Sequence, residues 1–184
     1  GIDAADSIVF NPHKWLGVQF DCSAHFLKNP EDLVRTLAIQ PEYLKTHGQD
    51  GLINYSEWSI PLGRRFRALK LWFLLRSYGL EELRTRIRNH VLWAEEICED
   101  IRKFDGFEIV TEPIFSLFSF RCPGDDDMQQ RLVDALNDDG RIYITQGMFE
   151  GQRMIRFQVG QFSTTQDDVM MARDVIKEVW EGMS

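Results

Sequence analysis

The sequence predicts an α/β protein made of the edge of a larger sheet, then long linking helices, then a small α/β unit. Three observations carry this. Two apolar runs near the start, Ser7–Phe10 and Gly17–Leu27, flank a turn built on Asn11-Pro12-His13. Two long helical patterns meet at Tyr78-Gly79, and from Phe107 onward short strand-like runs alternate with helical periods and turn residues. With 43% hydrophobic and 27% charged residues the chain has enough apolar material for a packed core.

Ser7-Ile8-Val9-Phe10 is apolar and ends at Asn11-Pro12-His13, which stops a strand and forces a turn. Gly17–Leu27 alternates well enough for one or two strands. Asn29-Pro30-Glu31-Asp32 is a helix start, with Asn29 as cap and acids in the first turn, and predicts a short helix over Glu31–Leu37. From Gln40 to Tyr55 two glycines and no stable period predict a loop, and a loop of that length is either a passive connector or a lid.

Arg65–Ser77 reads as a helix, basic in its first turns and apolar on nearly every side in its second half, hence buried at a subunit or domain junction. Cations at a helix N-terminus oppose the macrodipole, so Arg64, Arg65 and Arg67 call for anionic partners, either carboxylates across an interface or a bound phosphate. After Tyr78-Gly79 a second helix runs over Leu80–Lys103. Ile87, Val91, Ala94, Cys98 and Ile101 share one face, and Glu82/Arg86 and Glu99/Lys103 are spaced for i,i+4 pairs. His90 and Trp93 read as packing residues. Beyond it, Phe107–Thr111 and Phe115–Arg121 are predicted strands, and Asp126–Asn137 is a helix ended by Asp138-Asp139-Gly140. Arg141–Thr145 and Arg153–Val159 are strands with Met148–Gly151 between them. Thr164–Asp168 contains a Thr-x-x-Asp start for a last helix whose apolar face is Val169, Ala172, Ile176 and Val179. The result is a small mixed sheet covered by helices, folding with the long helix as one body.

A formal net charge of −8 argues against nucleic acid or an anionic membrane as the main partner, since both need a basic face. No run approaches the roughly 18 apolar residues of a membrane span, and Gly1–Asp6 lacks the features of a signal peptide. Cys22, Cys98 and Cys122, odd in number and widely spaced, suggest neither a disulfide framework nor a metal site. The expected compartment is the reducing cytoplasm.

The residues that bear chemistry are those of the first turn. Lys14 follows a strand end and is flanked by Trp15 and Leu16, which predicts partly dry surroundings. Burial disfavours the charged form of a lysine, and a neutral amine is a nucleophile suited to a Schiff base. Taken alone, such a lysine is more often a solvated surface residue. Asn11-Pro12-His13-Lys14-Trp15, followed by Asp21-Cys22-Ser23, resembles the lysine segment of the pyridoxal-phosphate-dependent group II amino-acid decarboxylases, in particular their aromatic-L-amino-acid branch. The resemblance continues through Pro41–Lys45 and Trp58–Arg67, and more loosely to the C-terminus.

The resemblance implies the C-terminal part of a fold-type I pyridoxal-phosphate-dependent transferase. Residues 1–63 would end the large cofactor domain, with a mobile loop at 40–55, and residues 64–184 would hold the long helices and the small C-terminal domain. In the family the lysine lies past the middle of a longer chain, so residue 1 looks like a cut inside the cofactor domain. Pyridoxal 5'-phosphate is the implied cofactor, with no metal. Lys14 would form the Schiff base, His13 would contact the phosphate or the substrate, and Asn11 would contact the phosphate. Tyr43 would deliver a proton from a closing loop after carbon dioxide leaves; a phenylalanine there marks a branch that makes aldehydes oxidatively. His13 and Gly63 match the aromatic pattern, where histidine decarboxylases carry serines, and Trp15 replaces the methionine of glutamate decarboxylases. Arg156 stands on a strand where related enzymes place a carboxylate-binding arginine; the residues alone favour an edge-strand arginine paired with an acid.

A homodimer is expected from the family and from unpaired strand edges over 7–27. The family's pyridine-binding aspartate, its ring-stacking histidine and most phosphate donors precede the lysine segment, so the 184-residue chain by itself is expected to be inactive. The competing readings are a non-catalytic oligomerisation module with a relic lysine strand, a histidine or glutamate decarboxylase, and another pyridoxal-phosphate enzyme such as an aminotransferase or an aromatic aldehyde synthase.

Overall fold

The computed structural model describes residues 1–39 and 53–183, which fall into two compact units, Gly1–Ser77 and Tyr78–Ser184. In the first, β1 (Ser7–Phe10) and β2 (Ala24–Leu27) form an antiparallel ladder in the register Ser7↔Leu27 to Phe10↔Ala24. The connection between them holds Lys14, so the two apolar runs become the legs of one hairpin-like excursion. Buried Val18 and Cys22 close it from within, at 3% and 4% exposure. Helix α1 (Pro30–Leu37) starts as its residues dictate: Pro30 takes the first helical position, and the Asn29 side chain accepts the Glu31 backbone N–H. A short 3-10 turn at Tyr55–Trp58 is capped in the same way by Asn54.

Helix α2 (Arg67–Ile101) carries the non-helical glycine predicted to break it: Gly79 sits at φ 74°, ψ 165°, a backbone region that side chains with a Cβ avoid. The stretch before the break presents its apolar residues outward within its own unit, where a subunit or domain junction is the surface expected to cover them. None of its residues is buried, and Phe66, Trp72 and Phe73 are 73%, 53% and 55% exposed. One short ladder and one eight-residue helix supply too little apolar surface within this unit to cover a helix apolar all round.

The second unit is a four-stranded sheet in the order β3-β4-β6-β5, every pair antiparallel. Its strands are β3 (Glu108–Ile114), β4 (Leu117–Arg121), β5 (Thr145–Phe149) and β6 (Gln152–Gln158). The predicted mixed sheet is thus corrected, because both sequential strand pairs are hairpins. Phe115 turns the first at φ 55°, and Glu150-Gly151, at φ 49° and 82°, turn the second as a tight left-handed pair matched to strand twist.

On one sheet face Phe118, Phe120, Ile155 and Phe157 meet three helical elements. These are α3 (Asp126–Asp139), α4 (Gln166–Met183) and the second half of α2, which contributes Ala94, Ile97, Cys98 and Ile101. The α2 stripe is shifted from the predicted one: Leu83, His90 and Ile97 are buried, whereas Ile87 and Val91 are only half-buried. Its charges also pair differently. Glu99 bonds Arg102, and Lys103 bonds Asp100 at i,i+3, because Arg102 is drawn toward Glu112 on β3.

Strand β5 begins where the predicted strand ended. The Asn137 side chain accepts the Ile144 N–H at 2.8 Å and donates to the Ile144 carbonyl at 3.1 Å, so the end of α3 takes that backbone out of the ladder. The three cysteines are unpaired and buried. Among the described residues no helix is long and apolar enough to cross a membrane.

Candidate functional site

The lysine turn is closed by its own backbone. Lys14 N–H donates to the Asn11 carbonyl at 2.9 Å, Gly17 N–H to the Lys14 carbonyl at 3.0 Å, and Val18 N–H to the Pro12 carbonyl at 3.0 Å. Proline at position 12 fixes one dihedral and is buried, and Gly17 supplies φ 82°, so the sequence folds this turn locally.

Three of the predicted site residues, Asn11, His13 and Lys14, are brought together here. The His13 ring is tied to Cys22. Protonated Nδ1 donates to the Cys22 carbonyl at 2.7 Å, and the other tautomer accepts the Cys22 N–H at 3.1 Å. The His13 backbone N–H adds a bond to the same carbonyl at 3.3 Å, and Phe20 packs edge-on with ring centroids 4.9 Å apart. Asn11 Oδ1 accepts the Ser23 hydroxyl at 2.6 Å, which leaves the Asn11 Nδ2 group as the amide's available donor.

Lys14 corrects one expectation: its side chain is exposed rather than partly dry, since its neighbours in this unit are turn residues and not a packed layer. Among the described residues its Nζ has no hydrogen-bond or ion-pair partner. These residues fit pyridoxal phosphate. An aldehyde condenses with an amine that no carboxylate holds, and a phosphate needs N–H donors such as the Asn11 amide and the His13 ring.

The loop beyond the turn is held from α2. Arg67 Nε donates to both Asp21 carboxylate oxygens at 3.0 and 3.1 Å, and this bond keeps the Asp21 carboxyl below its ordinary 3.8. Lys70 Nζ donates to the Gln19 and Asp21 carbonyls at 2.9 and 2.7 Å, and the Cys22 thiol to the Arg67 carbonyl at 3.7 Å. The anionic partner of Arg67 is therefore a carboxylate of its own unit, Asp21, and not one across an interface. Sequence reasoning gave Asp21, Cys22 and Lys70 no role, because contacts 45 to 51 residues apart leave no periodic trace.

Tyr43 lies outside the described residues. Gly63 is exposed, and a Cβ built there meets nothing within 4 Å among the described residues. Arg156 belongs to the second unit. It is on β6, an inner strand rather than an edge strand, with Ser119 and Thr145 as its cross-strand neighbours. Among the described residues no carboxylate pairs with it. It helps line a cavity of about 610 Å³, together with Thr145, Tyr143, Ser163 and Met171.

The family model for the pyridoxal-dependent decarboxylase conserved domain matches residues 1–123. The chain belongs to this family. Aromatic-L-amino-acid decarboxylase of Drosophila lebanonensis is 40% identical over 169 residues, covering 92% of the chain and 42% of that protein. Two solved structures superpose on the whole chain and on 40% of their own. Oryza sativa TDC with PLP and tryptamine does so with a TM-score of 0.93 and 32% identity. Catharanthus roseus tryptophan decarboxylase in complex with L-tryptophan does so with a TM-score of 0.89 and 37% identity. The chain thus spans about two-fifths of the relatives it matches.

Proposed function

We propose that the protein to which this chain belongs decarboxylates an aromatic L-amino acid to its amine with pyridoxal 5'-phosphate, and works as a cytoplasmic homodimer. The observation that carries this reading is the Asn11–Trp15 turn. Among the described residues, a family lysine whose Nζ no acid holds stands beside an imidazole tied down at Nδ1 and an amide whose Nδ2 has no partner.

Pyridoxal phosphate, when bound, supplies the electron sink for the charge left on the α-carbon as carbon dioxide departs. Lys14 would hold the cofactor through Nζ, and Asn11 and His13 would be the donors to its phosphate. The backbone-closed turn keeps these groups in register. Tyr43 returns the proton to the α-carbon, which favours the amine over an aldehyde. Gly63 offers no side chain to a large substrate ring. Arg156, a cation that no acid pairs among the described residues, binds the substrate carboxylate. The match to relatives named for tryptophan and aromatic amino acids supports an aromatic substrate.

The chain alone holds the lysine turn without the remaining three-fifths of its relatives' length, and is expected to bind cofactor without turning over substrate. The test is the visible absorption spectrum of the chain with pyridoxal phosphate before and after borohydride, beside Lys14→Ala. A band fixed by borohydride and mapped to Lys14 by mass spectrometry is the expected result. Equal labelling of both proteins would overturn the assignment of Lys14.

A further inference from the structure

Apart from the edge-on contact of Phe20 with the His13 ring, the Gln19–Asp21 loop has little packed support of its own. Gln19 and Phe20 are exposed, Phe20 at 80%, and Asp21 is only half-buried. A segment with so little apolar anchorage should sample many conformations unless polar contacts restrain it. Those contacts come from two cations in the first turns of α2: Arg67 on the Asp21 carboxylate, and Lys70 on the carbonyls of Gln19 and Asp21. The loop ends at Cys22, whose carbonyl accepts from Nδ1 of His13 in one tautomer and whose N–H donates to it in the other. The chain of contact is therefore continuous from α2 through the loop to the imidazole next to Lys14.

We infer that Arg67 and Lys70 are positioning residues for the lysine turn: by fixing Gln19–Asp21 they set the Cys22 backbone and so the orientation of His13. This rests on the reading of the turn as the cofactor site, which it extends to two residues of another element. The turn's own backbone bonds fix the path of residues 11–18 without them. What α2 adds is the direction of the imidazole. Its Nδ1 is committed to Cys22, so Nε2 is the nitrogen left for a phosphate or a substrate.

The test uses the 184-residue chain with 15N-labelled histidine, in native form and as Lys70→Met, Lys70→Arg and Arg67→Gln, with His13 assigned by its loss in His13→Gln. The native His13 ring should show one hydrogen-bonded Nδ1 signal. In Lys70→Met and Arg67→Gln that signal should move toward free imidazole while His25 and His90 stay in place, and Lys70→Arg should restore it. The rate at which borohydride fixes pyridoxal phosphate on Lys14 should fall in the same two variants by roughly tenfold or more, the scale of one lost hydrogen bond to a charged group, as His13 turns away from the phosphate. An unmoved His13 signal in both variants overturns the positioning role. A moved signal without any labelling of Lys14 in the native chain supports positioning and refutes the cofactor reading instead. Asp21→Asn, which keeps the loop's shape, replaces Arg67→Gln if circular dichroism shows the latter unfolded, and must reproduce the shift.

Discussion

Replacing Gln129 with leucine tests how the second unit is locked. Gln129 is fully buried on α3, and its amide spans the turn from β4 into that helix. Oε1 accepts the Cys122 N–H at 2.9 Å and the Cys122 thiol at 3.3 Å, while Nε2 donates to the carbonyls of Cys122 at 2.9 Å and Asp125 at 3.2 Å. The Asp125 carbonyl keeps a second donor, the Gln129 N–H at 3.3 Å. The Cys122 N–H and C=O lose these partners at a residue only 3% exposed. Leaving a buried polar group unpaired costs about 1–3 kcal/mol, so two such groups give a loss of about 2–6 kcal/mol, reduced somewhat by leucine's greater apolar burial. Against the roughly 5–15 kcal/mol of an ordinary domain this is a large fraction. Urea unfolding followed by fluorescence of Trp93 and Trp180, which pack on this core, should show the midpoint falling at unchanged slope. A loss under about 0.5 kcal/mol would refute the claim that the amide, rather than the surrounding apolar contacts, holds the turn.

Two further outcomes concern titratable groups of the same unit. His90 is fully buried beside Trp93, and burial, with help from the Arg86 charge, lowers its pKa from the ordinary 6.5. The unfolded chain then binds a proton that the folded one refuses. Stability is therefore complete above pH 6.5 and declines as pH falls below it, and His90→Gln should flatten that decline in unfolding midpoints measured between pH 7 and 5. Burial pushes the Cys98 thiol up to about 11, and it raises Cys122 as well. Alkylation by iodoacetamide at pH 8 should leave both unlabelled in the folded chain and label them on unfolding; rapid labelling of Cys98 in the folded state would contradict its place in the core.

Local signals in the sequence were strong where a side chain acts on its own backbone. Asn29 with Pro30, Gly79 and Gly140 each mark a helix boundary found in the structure, because caps and left-handed backbone are decided within a few residues. Asn11-Pro12-His13 likewise stops β1 where expected. Strand β5 was displaced because Asn137, on another element, captures Ile144, and no period encodes a side chain's choice of distant backbone. The same limit applied at the candidate site. The turn bearing Lys14 was legible as a motif, but its support by Arg67 and Lys70 depends on contacts that only the folded chain brings together. Arg156 was placed on a strand but not on an inner one, since strand order is set by how hairpins pair and not by the strand's own residues.

The apolar residues displayed by the start of α2 also bear on handling the chain. Phe66, Trp72 and Phe73 face water, while a formal net charge of −8 keeps copies of the chain apart. That repulsion reaches about 10 Å at 0.1 M salt and only about 3 Å at 1 M, whereas apolar attraction does not weaken with salt in this way. The chain is therefore expected to stay dispersed in dilute buffer and to bind phenyl-substituted chromatography media, or precipitate, as ammonium sulfate is raised.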